Sequence, residues 1–303
     1  MGILDKVSLP IEMTFGVELE CIGDKATEFI DSNPLDFNAE RDASLDDVNG
    51  IEFISPIMKY DEFDLHRLKD TLYFIKSNGF SVDNSCGGHI HFGASYLENL
   101  GSILNLLVIY KYFEKELCAI SNARGGRIRR GCSNHASSIV GIMYDVESAL
   151  KKEKIMSSST IDESKKIKEG AISKRKSYGL NVRNIGNPEK NTVEFRVPNG
   201  TLDEETLKEN IILFGSLVKV SKEIFDFYEY QIEVNNLLST KRKSEKRIEL
   251  LLNLIFDDKK DAKEIYYERF ENNIGDPMLG NLGMKETTLR DYPSVRKVLE
   301  KKR

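Results

Sequence analysis

A chain of 303 residues with 40% hydrophobic residues, 31% charged residues and no tryptophan is neither disordered nor fibrous, and is long enough for one large domain or two small ones. Four widely spaced cysteines (Cys21, Cys86, Cys118, Cys132) with no CxxC pattern exclude a zinc ribbon and a small disulfide scaffold. The net charge of -5 is unevenly spread, since residues 1–123 hold 9 Lys/Arg against 21 Asp/Glu and residues 124–303 hold 35 against 28, as two differently decorated surfaces would, or an acidic element facing a basic one.

The opening MGILDKVSLP lacks the basic region and apolar stretch of a signal peptide, and the best apolar run, Ile103–Tyr110, is far too short to span a bilayer. A soluble, cytoplasmic protein is expected, with neither membrane nor nucleic acid as a partner. Ile11–Ile22 reads as a strand stopped by Gly23-Asp24, and Gly50–Ser55 as a second, ended by Pro56. Asp61 is placed to cap a helix whose apolar residues Phe63, Leu65, Leu68, Leu72 and Ile75 keep helical spacing up to Asn78-Gly79. Gly88–Gly93 predicts a third strand, and Leu97–Ile120 the strongest helix, with one broad apolar face.

Ala123–Ser133, ARGGRIRRGCS, is a glycine- and arginine-rich loop, and a helix is predicted over Ser138–Leu150. Residues 151–176, with 9 Lys/Arg and 4 Asp/Glu and little periodic apolar content, read as a mobile insertion or lid. Tyr178–Ile185 and Asn191–Val197 look like two strands joined at Gly186-Asn187-Pro188. From about Asp203 the pattern is helical: Leu207–Tyr230, Ser239–Phe256 and Asp258–Phe270. The expected organisation is a catalytic domain over 1–238 and a helical C-terminal extension over 239–303.

Three strand segments place two strongly polar residues at i and i+2: Glu18 and Glu20, His89 and His91, Glu194 and Arg196. Alternation puts each pair on one face, with apolar neighbours such as Val17, Ile90 and Phe195 on the other, and Glu52 repeats the pattern in a fourth strand. An ordinary wet sheet face would be expected to use Lys, Thr, Ser and Gln. Carboxylates crowded together repel and raise one another's pKa unless cations neutralise them. A set rich in carboxylates with one or two imidazoles suits Mg²⁺ or Mn²⁺ better than zinc, and Mg²⁺ commonly completes its shell with water and substrate phosphates. With neither GxxxxGK[ST] nor GxGxxG present, arginines must hold those phosphates; the candidates are Arg196, Arg183 and the loop residues Arg124, Arg127, Arg129 and Arg130.

The ordered segments Gly16-Val-Glu-Leu-Glu20, Asp42-Ala-Ser-Leu45, Gly50-Ile-Glu-Phe-Ile-Ser-Pro56, Gly87-Gly-His-Ile-His-Phe-Gly93, Tyr178-Gly-Leu-Asn-Val-Arg183, Thr192-Val-Glu-Phe-Arg196 and Gly200-Thr-Leu-Asp203 resemble the amidoligase family, whose members are carboxylate–amine ligases of the glutamine synthetase fold superfamily. The resemblance implies an α+β fold: a curved antiparallel β-sheet of glutamine synthetase catalytic-domain type, helices packed on one side and a helical C-terminal region. It implies ATP and two or more Mg²⁺ or Mn²⁺ ions, with Glu52 joining Glu20 at one ion and His89 and Glu194 joining Glu18 at the other. It places His91 and Arg196 toward phosphate, with Asn181, Arg183 and Arg130 as further nucleotide contacts.

The activity so implied is ligation of a carboxylate to an amine through an acyl phosphate, on a peptide, amino acid or cell-wall fragment, with Arg196 and Arg183 balancing phosphoryl charge. Asp42 or a loop carboxylate is the candidate for taking the amine proton. Alternatives are a carboxylate or guanidino kinase of the same fold, a metal-dependent hydrolase, or an inactive binding protein. A protein substrate and the oligomeric state stay open. His66, among charged neighbours, reads as a surface residue, and His135, after Ser133-Asn134, as a loop residue.

Overall fold

The computed structural model describes residues 7–42, 44–45, 48–123, 128–129, 132–139, 177–223 and 244–281. In the first strand, β1 (Thr14–Ile22), Phe15, Val17, Leu19 and Cys21 are buried in the core while Gly16, Glu18 and Glu20 take the opposite face, as a period of two requires. A short helix, α1 (Ala26–Asp31), leads to the edge strand β2 (Asn38–Arg41). This pairs with β3 (Gly50–Ile54), which pairs in turn with β1. Beyond Pro56, the two-residue β4 (Met58–Lys59) lies against Thr14 and Phe15.

Helix α2 (Glu62–Ser77) starts where the Asp61 carboxylate accepts a hydrogen bond from the Asp64 N–H at 2.9 Å, the predicted cap. It ends at Asn78 and Gly79, whose φ of 86° is left-handed backbone that glycine adopts without a steric penalty. β5 (Gly88–Gly93) then passes through a 3₁₀ turn (Ala94–Leu97) into α3 (Leu100–Ile120), capped by the Asn99 side chain. A single helical turn, α4 (Cys132–His135), precedes β6 (Leu180–Asn181) and β7 (Thr192–Phe195). Helices α5 (Glu204–Glu223), α6 (Ser244–Phe256), α7 (Lys260–Asn273) and α8 (Pro277–Asn281) follow.

The chain is thus mixed α and β, and the described strands form one open, seven-stranded antiparallel sheet in the order β2-β3-β1-β5-β7-β6, with β4 beside the start of β1. The apolar face of this sheet carries the core. Phe195 stacks on Phe214 of α5 with ring centroids 4.4 Å apart, and Phe92 meets Phe195 edge-on at 6.0 Å. Under β3, Phe53 meets Phe29 of α1 and Phe80 at 6.0 and 5.2 Å. Such rings combine large buried area with a preferred edge or offset geometry, which pins the helices in place.

The C-terminal helices are anchored by arginines. Arg247 of α6 pairs with Glu116 of α3 at 2.6 Å and lies over the Tyr112 ring at 4.4 Å. Arg269 of α7 donates to the Ile120 carbonyl at 3.1 Å and to Asn210 at 2.9 Å, and is paired with Glu209. Among the described residues, no helix is long and apolar enough to cross a membrane.

The strand predicted over Tyr178–Ile185 shrinks to two residues because the Arg183 N–H turns back to the Asn181 side chain at 3.0 Å and leaves the ladder. The predicted Leu97–Ile120 helix divides at Asn99 into the 3₁₀ turn and α3. Most of the helix predicted over Ser138–Leu150, the lid segment 151–176 and the end of the Leu207–Tyr230 helix lie outside the described residues.

Candidate active site

Strand order converts the i, i+2 pairs into a single cluster. Across β1 and β5, Glu18 stands opposite His89 and Gly16 opposite His91; across β5 and β7, His91 stands opposite Glu194; across β1 and β3, Glu20 stands opposite Glu52. Four adjacent strands, β3-β1-β5-β7, therefore bring their polar residues to the face opposite the core.

His89 is the centre. Its Nδ1 lies 3.0 Å from Glu18 Oε2, 3.6 Å from Glu194 Oε1 and 4.0 Å from Glu52 Oε1, and its Nε2 lies 3.3 Å from Glu20 Oε1. Next to it, His91 Nε2 is 3.1 Å from Glu18 Oε1 and His91 Nδ1 is 3.3 Å from Thr192 Oγ1. Glu20, His89 and Glu194 are buried, Glu18 and Glu52 partly so.

These charges disturb one another. Burial alone would raise the Glu18 carboxyl, but the hydrogen bonds and charges of His89 and His91 outweigh it and hold the group well below the usual carboxylate range. Glu52 goes the other way: burial first, then the charges of Glu18, Asp42 and Glu20, push it up to about 8. Burial opposes protonation of His91, yet its hydrogen bond to Glu18 and the charges of Glu194 and Glu18 raise it overall.

The donor set fits divalent cations. Glu18, His89 and Glu194 form one group, and Glu20, Glu52 and His89 another, in each of which the ligand atoms lie within 4.8 Å of one another. The Nε2 atom of His89 is buried without a hydrogen-bond partner, although it faces Glu20 Oε1. A lone pair opposite a carboxylate oxygen is an arrangement that a cation between them satisfies.

The remaining predicted residues distribute unevenly around this cluster. Arg196, directly after β7, is paired through Nη1 with Glu194 and donates through Nε to the His135 carbonyl at 2.9 Å. Asn181 donates to Glu194 Oε2 at 2.6 Å, so it orients a carboxylate of the cluster. Arg183 is exposed beyond the end of β6, and its backbone N–H donates to Asn181 Oδ1 at the site. Asp42, directly after β2, is half-buried and accepts the Ser44 N–H at 2.8 Å, while its charge reaches Glu52.

Arg124, Arg127 and Arg130 lie outside the described residues. Arg129, grouped from the sequence with the phosphate-facing arginines, is instead buried against Glu20, with Nη1 3.3 Å from Glu20 Oε2. His66 is an exposed residue 3.6 Å from Asp70, as the sequence suggested. His135 is exposed and holds Arg196 through its backbone carbonyl. Gly87 and Thr192 were not singled out by sequence, yet the Gly87 N–H donates to Glu20 Oε2 and Thr192 bonds His91. Gly87 carried a signal, the paired glycines before HxH.

An acidic and imidazole cluster on the polar face of an open antiparallel sheet, bordered by an arginine, defines a candidate metal-assisted site of an α/β protein. The family model described as "Putative amidoligase enzyme" matches residues 27–218, and the chain belongs to that family. A comparison with curated proteins gives no match. The matched range takes in Glu52, His89, His91, Asn181, Arg183, Glu194 and Arg196; Glu18 and Glu20 precede it and join the site through β1.

Proposed function

We propose that this protein is an ATP-dependent ligase that joins a carboxylate to an amine through an acyl phosphate, acting on a peptide, amino acid or cell-wall fragment. The observation that carries this reading is the pair of overlapping ligand groups sharing His89, with Arg196 at their border. On the same reading the sheet is of glutamine synthetase catalytic-domain type, residues 1–238 form the catalytic domain and residues 239–303 a helical extension.

Mg²⁺ or Mn²⁺ held by Glu18, His89 and Glu194, and by Glu20 and Glu52, would supply the positive charge that ATP's β- and γ-phosphates need in phosphoryl transfer. An oxygen of the substrate carboxylate bonds to the γ-phosphorus as the bond to the ADP oxygen breaks, giving the acyl phosphate. The amine nitrogen then bonds to the acyl carbon, phosphate leaves, and the nitrogen's surplus proton passes to a carboxylate, for which Asp42 is the candidate. Arg196 is oriented for its part by Glu194 and the His135 carbonyl, so its planar fork meets the phosphoryl oxygens without first losing freedom. Arg183 and His91, with Asn181 and the loop residue Arg130, complete the nucleotide contacts.

The test is release of ADP and phosphate with Mg²⁺ over a panel of carboxylates and amines, comparing the native chain with Glu20→Gln and Arg196→Ala. Turnover only when carboxylate and amine are both supplied, and lost in both variants, is the expected result. A stable phosphorylated product without amine would make the chain a kinase, and failure to bind nucleotide in the presence of Mg²⁺ would remove both readings.

A further inference from the structure

Arg129 occupies a position that a phosphate-binding arginine would not. It is 2% exposed, with Nη1 3.3 Å from Glu20 Oε2 and Nη2 donating to the carbonyl of Arg196 at 3.0 Å. Its backbone N–H donates to Asn199 Oδ1 at 3.0 Å, and the Asn199 N–H donates to Asn122 Oδ1 at 3.0 Å just beyond α3. Room for the guanidinium comes from Gly87: a Cβ there would fall 2.0 Å from Arg129 Nη1.

The consequence falls on Glu20. Its Oε2 accepts from both the Gly87 N–H and Arg129, while Oε1 faces His89 Nε2 at 3.3 Å. The carboxylate is thereby fixed with one oxygen committed to the protein and the other turned to the cluster. The same guanidinium grips the backbone from which Arg196 projects, and its permanent charge offsets one carboxylate of the crowded set.

We propose that Arg129 is a positioning residue: it holds Glu20 as a one-oxygen ligand for the ion shared with Glu52, and ties that ligand to the base of Arg196. The inference rests on the reading of the cluster as a divalent-cation site. Partners that orient a metal ligand typically affect affinity by roughly 10- to 100-fold. Among the described residues, Arg129 makes no bond to Glu18, His89 or Glu194, so the ion there should be little changed.

The experiment is Mn²⁺ titration, followed by calorimetry and by the electron paramagnetic resonance of free Mn²⁺, on the nucleotide-free native chain, Arg129→Met, Arg129→Lys and Gly87→Ala. The native chain should bind two ions, and Arg129→Met should weaken one of them roughly 10- to 100-fold. Arg129→Lys, whose ammonium cannot serve both acceptors as a fork, should recover part of the loss. Gly87→Ala should push the guanidinium aside with its charge retained and reproduce the Arg129→Met affinity. A purely structural role would lower thermal stability and leave both affinities alone, and that result overturns the proposal. So would tighter binding in Arg129→Met, which would mean that charge outweighs orientation. Should Arg129→Met not fold, Gly87→Ala and Arg129→Lys decide the matter. A native chain that binds no Mn²⁺ would instead bring down the cation-site reading itself.

Discussion

Glu52 offers a direct measure of how strongly the carboxylates crowd one another. Its carboxyl is pushed from 4.5 to about 8 by burial and by the charges of Glu18, Asp42 and Glu20. Between these pH values Glu52 in the unfolded chain has released its proton while the folded chain retains it. The folded state therefore binds more protons, and stability falls as pH rises through the window. Each pH unit is worth at most about 1.4 kcal/mol, so the whole window has a ceiling of about 5 kcal/mol. The Glu52 side chain is 20% exposed, and solvent brings the expected loss to roughly 2–4 kcal/mol. Glu18 does not blur the effect, because a depressed carboxyl contributes stability above its unfolded pKa and loses it only in acid.

The perturbation is Glu52→Gln, which keeps the shape and removes the titration. Urea unfolding in the presence of a chelator, from pH 5 to pH 8.5, should show the native chain losing stability more steeply than the variant, whose remaining slope is that of His91, raised by its bond to Glu18. At pH 8 the variant should be the more stable of the two. With saturating Mn²⁺ the order should reverse, since the native carboxylate then gains a cation and the amide does not. A variant whose chelated pH profile parallels the native one would refute the reasoning, because the slope would then belong to other groups.

Three further outcomes follow from the same geometry. Mn²⁺ at about 100 times its dissociation constant should stabilise the native chain by about 2.7 kcal/mol for each ion bound, and Glu194→Gln should reduce that gain in a thermal-shift titration. Arg269→Met should cost about 3–5 kcal/mol by chemical denaturation, because it leaves Glu209 and the Ile120 carbonyl without their buried cation; a loss under 1 kcal/mol would show that α7 is held by packing alone. Asp61→Ala should cost about 1 kcal/mol, with Asp61→Asn retaining most of the cap, and equal losses in the two variants would argue against the bond to the Asp64 N–H.

Local chemistry was enough to read much of this chain. The alternation in Gly16–Glu20, Gly88–Gly93 and Thr192–Arg196 depends only on the pleat of a strand, so it specified which residues share a face before any pairing was known. The Asp61 cap and the Asn78-Gly79 stop are equally local. Short elements escaped the same logic. Asn38-Ala-Glu-Arg has no apolar alternation and exists as β2 because β3 offers it an edge; Met58–Lys59 is a strand only because Thr14 and Phe15 lie beside it.

What the sequence determined by itself was the ligand chemistry: carboxylates and imidazoles at strand spacing, followed later in the chain by arginines. What the tertiary structure decided was their convergence, since His89 reaches four carboxylates only because β5 lies between β1 and β7 with β3 beyond β1. The structure also settled the destination of Arg129, whose partner Glu20 is 109 residues away and whose space is left by a glycine on a third segment. A side chain's neighbours along the chain specify the face it takes, whereas the partners across that face depend on strand order and register, which no local pattern encodes.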